Sequence, residues 1–149
     1  MAVKKIYLGS DHAGFELKER LKNWFEKKKI LYVDLGNLIF NPKDDYPDYA
    51  SLVAKKVTST GSLGILICGS AQGMCIAANK IKGARAVIPF SLKETHLSRE
   101  HNHANILCLS GRFTRFYKAK KMVEMFLNTP FSKEPRHLRR LNKIKKLEA

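Results

Sequence analysis

Five short apolar runs alternate along the chain with segments whose apolar residues recur every three or four positions, the pattern of a parallel sheet wrapped by helices. The runs predict strands over Lys5 to Gly9, Leu31 to Gly36, Leu63 to Cys68, Ala84 to Pro89 and Asn105 to Ser110. Between them, Phe15 to Lys28 places Leu17, Leu21, Trp24 and Phe25 on one helical face, and Pro47 to Ser59 does the same with Tyr49, Leu52, Val53 and Val57. A third helix is predicted after Gly73. The fourth opens at Ser91-Leu92-Lys93-Glu94, where the serine and the glutamate can each satisfy a free backbone donor. After the fifth strand a helix runs from about Phe116 to Leu127 and stops at Asn128-Thr129-Pro130. A last helix starts near Pro135, because proline at the first helical position lacks only an N–H that would have no partner there.

The fold class is therefore α/β: a single Rossmann-like doubly wound domain over residues 1–149, with a five-stranded parallel sheet flanked by helices and a C-terminal helix extension. No internal repeat or linker marks a second domain, and the longest predicted loop is Asn37 to Tyr46. No apolar stretch approaches the roughly 18 to 20 residues of a membrane span, and Met1-Ala2-Val3-Lys4-Lys5 leads into a strand rather than a signal-peptide core. No membrane association and a cytoplasmic location are expected. Cys68, Cys75 and Cys108 are odd in number and form no C-x-x-C pair, which argues for reduced thiols over a disulfide framework or a zinc site. With 28 Lys+Arg against 13 Asp+Glu the formal charge is +15, which draws anions from sugar phosphates to RNA.

In an open α/β sheet a ligand lies outside the carboxyl ends of the strands, and that is where the polar residues fall. Strand one ends in Ser10-Asp11-His12, the loop after strand two carries Asp45-Tyr46, strand three ends in Cys68-Gly69-Ser70, and strand five ends in Ser110-Gly111-Arg112. Cys68 stands at a helix start, where partial positive charge and free N–H groups can lower a thiol pKa and hold an anion, as proton abstraction that leaves an oxyanion requires. Asp11 suits a helix N-cap as well as it suits catalysis. Ser70 could also be a cap, or could hand a proton to a substrate oxygen. His12 precedes a glycine at the crevice, and a solvent-exposed loop histidine is its alternative. Gly69 and Gly73 match neither dinucleotide nor P-loop fingerprints, so a smaller anion is the better fit. His101-Asn102-His103 lacks the spacing of a metal site, and His101 suits acid or base work. Arg136 and Arg140 share one helix face and could grip phosphate, or belong to a solvated or RNA-binding basic helix; Leu138, Leu141 and Leu147 line another face.

Taken together, Gly9-Ser10-Asp11-His12-Ala13-Gly14, Asp45-Tyr46-Pro47-Asp48-Tyr49-Ala50, Cys68-Gly69-Ser70 with Ile76-Ala77-Ala78-Asn79-Lys80, Arg99-Glu100-His101-Asn102, Gly111-Arg112 and Arg136-His137 give the chain a specific resemblance. It resembles ribose-5-phosphate isomerase type B and the related galactose-6-phosphate isomerase subunits over nearly its whole length. The resemblance implies a metal-independent and cofactor-free aldose–ketose isomerase acting through a cis-enediolate. It implies Cys68 as base, Ser70 assisting at the substrate oxygens, His101 opening the furanose ring and Asp11 as helper. His12, Arg112, Arg136 and Arg140 would hold the phosphate, Tyr46 and Asn102 would line the sugar, and the Gly69 to Gly73 backbone would hold the enediolate. It further implies a homodimer or dimer of dimers, with each site built across the subunit interface and the helix at about 135–148 packed on a partner. A second branch of the family uses a glutamate base just after the loop, where this chain has Met74, so the cysteine branch supplies the base.

Ala71 departs from the family's C-G-[ST]-G-x-G loop. If the position needs φ > 0, alanine costs about 1 kcal/mol; if it is already helical, alanine helps. Isomerisation of a 6-phosphohexose is the second enzymatic reading. A nucleic-acid-binding module is the less favoured reading from another class, because Tyr7, Phe15 and Trp24 fall in core patterns rather than between basic residues.

Overall fold

The computed structural model describes residues 5–149, and the Met1 to Lys4 lead-in lies outside the described residues. Five strands run in the order β1 (Ile6–Ser10), β2 (Tyr32–Asp34), β3 (Leu63–Cys68), β4 (Ala86–Val87) and β5 (Ile106–Ser110). They form one sheet with spatial order β2-β1-β3-β5-β4, every pairing parallel. The helices are α1 (Phe15–Lys28), α2 (Tyr46–Thr60), α3 (Gln72–Asn79), α4 (Leu92–Glu100), α5 (Phe116–Asn128) and α6 (Pro135–Lys146), with a short 3-10 turn at His12–Gly14. No helix among the described residues is long and apolar enough to cross a membrane.

Parallel strands need crossovers, so the central strands are buried on both faces and read as continuous apolar runs. On one face Leu17, Leu21, Trp24 and Phe25 of α1 pack with Met122, Val123 and Phe126 of α5 against Ile65, Ile67, Leu107 and Leu109. On the other, Ala50, Val53, Ala54 and Val57 of α2 pack with Met74 and Ala78 of α3 against Leu66, Ile106 and Cys108. Leu52 is not part of this face and is 49% exposed, because the buried stripe of α2 runs through the alanines beside it.

The edge strands are shorter than the apolar pattern predicts. On β4 the Asn79 side chain takes the strand's place, accepting from the Ala86 N–H (2.8 Å) and donating to its carbonyl (3.0 Å), and Pro89 has no N–H to pair. Helix α4 begins as expected: Ser91 Oγ accepts from the Glu94 N–H at 3.1 Å, while Glu94 reaches back to the Phe90 N–H at 2.9 Å. Helix α6 is less covered than its pattern suggests, with Leu138 42%, Ile144 44% and Leu147 84% exposed.

One buried cation ties β2 to α1. The Lys18 ammonium, fully buried, donates to Asp34 at 2.8 Å and 2.9 Å and also to the Asn37 carbonyl. Lys22 adds a second ammonium on Asp34 at 2.8 Å. Burial pulls Lys18 below the ordinary lysine range. Burial also works against ionised Asp34, but hydrogen bonds from both lysines overcome it and hold its carboxyl below the usual carboxylate range. Because the folded pKa of Asp34 is depressed, its stabilisation is complete above the ordinary aspartate value of 3.8 and is lost as pH falls through the lowered value. Lys18→Met is expected to lower unfolding free energy by about 3 kcal/mol in denaturant titrations, since it removes the buried one of the two cations on a buried carboxylate, while Lys22→Met, at a partly exposed partner, costs about 1 kcal/mol.

Candidate active site

The carboxyl edge of the sheet gathers most of the residues singled out by sequence. Asp11 caps the turn after β1, accepting from the N–H groups of Ala13 (3.0 Å) and Gly14 (3.1 Å), so the capping role is the one its geometry shows. Burial raises its pKa, assisted by the nearby Asp44 carboxylate. His12 is gripped by Asp44: its backbone N–H donates to Oδ1 at 3.0 Å, and its ring Nδ1 lies 2.8 Å from the same atom. Asn37 holds the other oxygen of Asp44 at 2.9 Å. The Nε2 of His12 is thereby left as the ring nitrogen available to a ligand. Of the loop's acidic residues, Asp45 stands at the N-cap position of α2 without a side-chain cap bond, and it is its neighbour Asp44 that holds His12.

The turns after β3 and β5 are stitched together. Gly111 N–H donates to the Cys68 carbonyl (2.8 Å), Arg112 N–H to the Gly69 carbonyl (3.2 Å), and Ser110 Oγ to that same Gly69 oxygen (2.6 Å). A Cβ on Gly69 would meet the Arg112 guanidinium carbon at 3.1 Å, so this arginine lies against the loop. Tyr46 lies against the loop's other end, where a Cβ on Gly73 would collide with its ring. Gly73 itself sits in the first turn of α3, which starts one residue before it, at Gln72. Ser70 is exposed and caps nothing; the cap position is Ala71.

Ala71 has φ 70°, the left-handed region. That conformation costs an alanine about 1 to 2 kcal/mol. Its methyl is fully buried, which returns about 0.8 kcal/mol, and alanine orders less chain entropy than glycine by about 0.4 to 1 kcal/mol. The terms nearly cancel, which explains how the loop keeps its shape without the family's glycine.

Cys68 overturns one expectation. Its sulfur does receive backbone N–H groups of Met74, Ala71 and Ser70, but the residue is only 4% exposed, and burial outweighs those donors to push the thiol up rather than down. The helix start supplies donors without supplying solvent. Cys75 and Cys108 are free thiols in and against the core, as expected.

His101, Asn102, Arg136 and Arg140 do not join this edge. His101 closes α4, a few residues before Asn105, whose carbonyl accepts from Gly64 at the amino end of β3. Cys68 aligns instead with Ser110 at the far end of β5, so the two groups are separated by the length of the sheet, roughly 15 Å. His101 belongs to a separate cluster: its ring lies 4.3 Å from that of His137, His137 Nδ1 meets Ser132 Oγ at 2.7 Å, and Ser132 N–H donates to the Glu100 carbonyl.

The ribose/galactose isomerase family model matches residues 6–144. The chain belongs to that family. A ribose-5-phosphate isomerase B of Mycolicibacterium paratuberculosis is 40% identical over 145 residues, 97% of this chain and 91% of the relative. Among solved structures, the ribose-5-phosphate isomerase B of Mycoplasma genitalium with bound ribulose 5-phosphate superposes with a TM-score of 0.91 at 44% identity, covering 97% of this chain and 95% of that one. The Trypanosoma brucei type B enzyme does so with a TM-score of 0.92 at 39% identity, covering 98% and 99%.

Asp11, His12 and Asp44 could each offer one ligand atom to a metal within 4.8 Å of the others, a grouping no local motif announces because Asp44 lies 32 residues from His12. Those atoms are already engaged in the Asp11 cap and the His12 to Asp44 contact, so a cation there would displace the bond that orients the ring. Because burial keeps Cys68 protonated at neutral pH, its alkylation by iodoacetamide is expected to be slow at pH 7 and still accelerating past about pH 9, followed by intact mass.

Proposed function

We propose that this member of the family interconverts ribose 5-phosphate and ribulose 5-phosphate, and that it does so with Cys68 as the base. The reading is carried by the ribulose 5-phosphate bound to the M. genitalium relative, whose chain this one matches over 97% of its length. It is supported by the thiol, backbone donors and arginine gathered at one sheet edge.

In this reading the sugar phosphate lies with its phosphate on His12 Nε2 and Arg112, and its C1 and C2 carbons over the turn after β3. Entry moves aside Tyr46 and Arg112, both exposed side chains that lie against Gly73 and Gly69. The Cys68 thiolate takes the proton from C2 and returns it to C1 as the electron pair passes through the enediolate. The oxygens exchange their proton through the Ser70 hydroxyl. A thiol whose pKa is raised is a stronger base once ionised, and the N–H groups of Ser70, Ala71 and Met74 are the dipoles that hold its charge. The turn's N–H groups likewise offset charge on the enediolate. His101 opens the furanose ring, Asn102 lines the sugar, and Arg136 and Arg140 complete the phosphate grip.

Because one chain holds these last four residues a sheet's length from Cys68, the working unit in this proposal is a pair of chains. Each contributes its His101 cluster and its thinly covered α6 to the carboxyl edge of the other.

Cys68→Ala is expected to lower kcat by about 10³-fold or more while the protein still folds and binds ribose 5-phosphate; near-normal turnover would refute the base assignment. Asp44→Ala is expected to raise KM about ten-fold with kcat within a few-fold, because it frees the His12 ring. Mixing inactive Cys68→Ala and His101→Ala chains is expected to restore activity, since a mixed pair regains one intact site; no recovery in verified mixed pairs would place the site within one chain.

A further inference from the structure

Two adjoining cavities run between α1 and α5, on the face away from α2 and α3. The first, of 440 Å³, starts at the Arg112 turn and is lined by Arg20, Arg115 and Phe113. The second, of 280 Å³, continues past Lys27 and Lys120. Arg20 and Phe116 line both, so the two form one trough, about 16 Å along α1 from Glu16 to Lys27 at 1.5 Å per residue. Glu16 is the only acidic residue on its walls. Among the described residues, Arg20, Lys27, Arg115 and Lys120 form no ion pair with a carboxylate. Helix α5, which opens into the trough, carries neither a capping side chain nor an acidic residue in its first turn.

A concave row of cations that the chain leaves unneutralised fits an extended polyanion. The aromatic residues narrow the choice. Phe116 carries the Arg20 guanidinium 4.3 Å and the Lys120 ammonium 5.4 Å from its ring centre, while Phe113 at the mouth is 80% exposed. Exposed flat rings set among backbone-gripping cations hold single-stranded nucleic acid, whose bases stack while its phosphates are neutralised. The sequence Arg112-Phe113-Thr114-Arg115-Phe116-Tyr117-Lys118-Ala119-Lys120-Lys121 intersperses aromatic residues with cations.

We propose that the trough between α1 and α5 binds single-stranded nucleic acid, with phosphates along Arg115, Arg20, Lys120 and Lys27 and a base on Phe113. The trough does not include Cys68, shares Arg112 at its mouth with the proposed sugar-phosphate grip, and does not rest on the isomerase reading.

The test is a fluorescence-anisotropy titration of the full chain with a labelled twelve-residue oligouridylate at several salt concentrations. Four neutralised phosphates predict a slope of log K against log salt near about −3. Lys27→Glu combined with Lys120→Glu is expected to weaken binding at least about 30-fold with isomerase kcat/KM unchanged. Phe113→Ala is expected to weaken the oligouridylate about ten-fold while leaving binding of inorganic polyphosphate of equal charge unaltered. Absence of salt-dependent binding overturns the proposal, as do equal binding of polyphosphate with no effect of Phe113→Ala, or a duplex or acidic peptide binding as tightly as the single strand.

Discussion

The arrangement of the carboxyl edge depends on a single ammonium group buried under the β2 connection. Lys18 is fully out of solvent, and its charge is tolerable only because Asp34 answers it with both oxygens and the Asn37 carbonyl with a third acceptor. The contact joins the first turn of α1, the end of β2 and the start of the long loop. A loop from Gly36 to Asp45 would otherwise be free to sample many shapes, at a cost in entropy for each residue ordered. Anchoring its first residues to a buried ion pair removes most of that freedom.

The consequences run outward through named atoms. Asn37, fixed by its carbonyl, presents its amide to Asp44; Asp44 presents its other oxygen to both the backbone and the ring of His12. Burial works against an ionised Asp44, yet the Asn37 and His12 hydrogen bonds hold its carboxyl below the usual carboxylate range. On the far side, Ser110 Oγ bridges the Gly69 carbonyl and the Phe113 N–H, at 2.6 Å and 3.0 Å, and so fixes the loop after β3 against the loop after β5. Two polar networks, one on each side of the switch between β1 and β3, leave little of the crevice to chance.

What could be read from the residues in advance follows from how local each signal is. The strand over Leu63 to Cys68 and the helix over Phe15 to Lys28 are legible because continuous and periodic apolar patterns need no tertiary information, and both match to the residue. The short β4 is not, because its outer partner is the side chain of Asn79 rather than another strand. Lys18 stands on the buried face of α1, where the rule for lysine points to solvent; only Asp34, 16 residues away, makes its burial possible. The thiol's direction of shift is not legible in sequence, because a helix start shows there while the depth of burial around it does not. The site residues divide in the same way. Those at strand ends are placed together by topology alone, but that His101 sits at the opposite end of the sheet follows only from the direction of α4.

The Asn79 amide that lies along β4 also governs how copies of this chain can meet. With the donor and acceptor of Ala86 both taken by one side chain, that rim offers no ladder for a neighbouring backbone to extend. Growth into a continuous cross-molecule sheet is closed off at that rim.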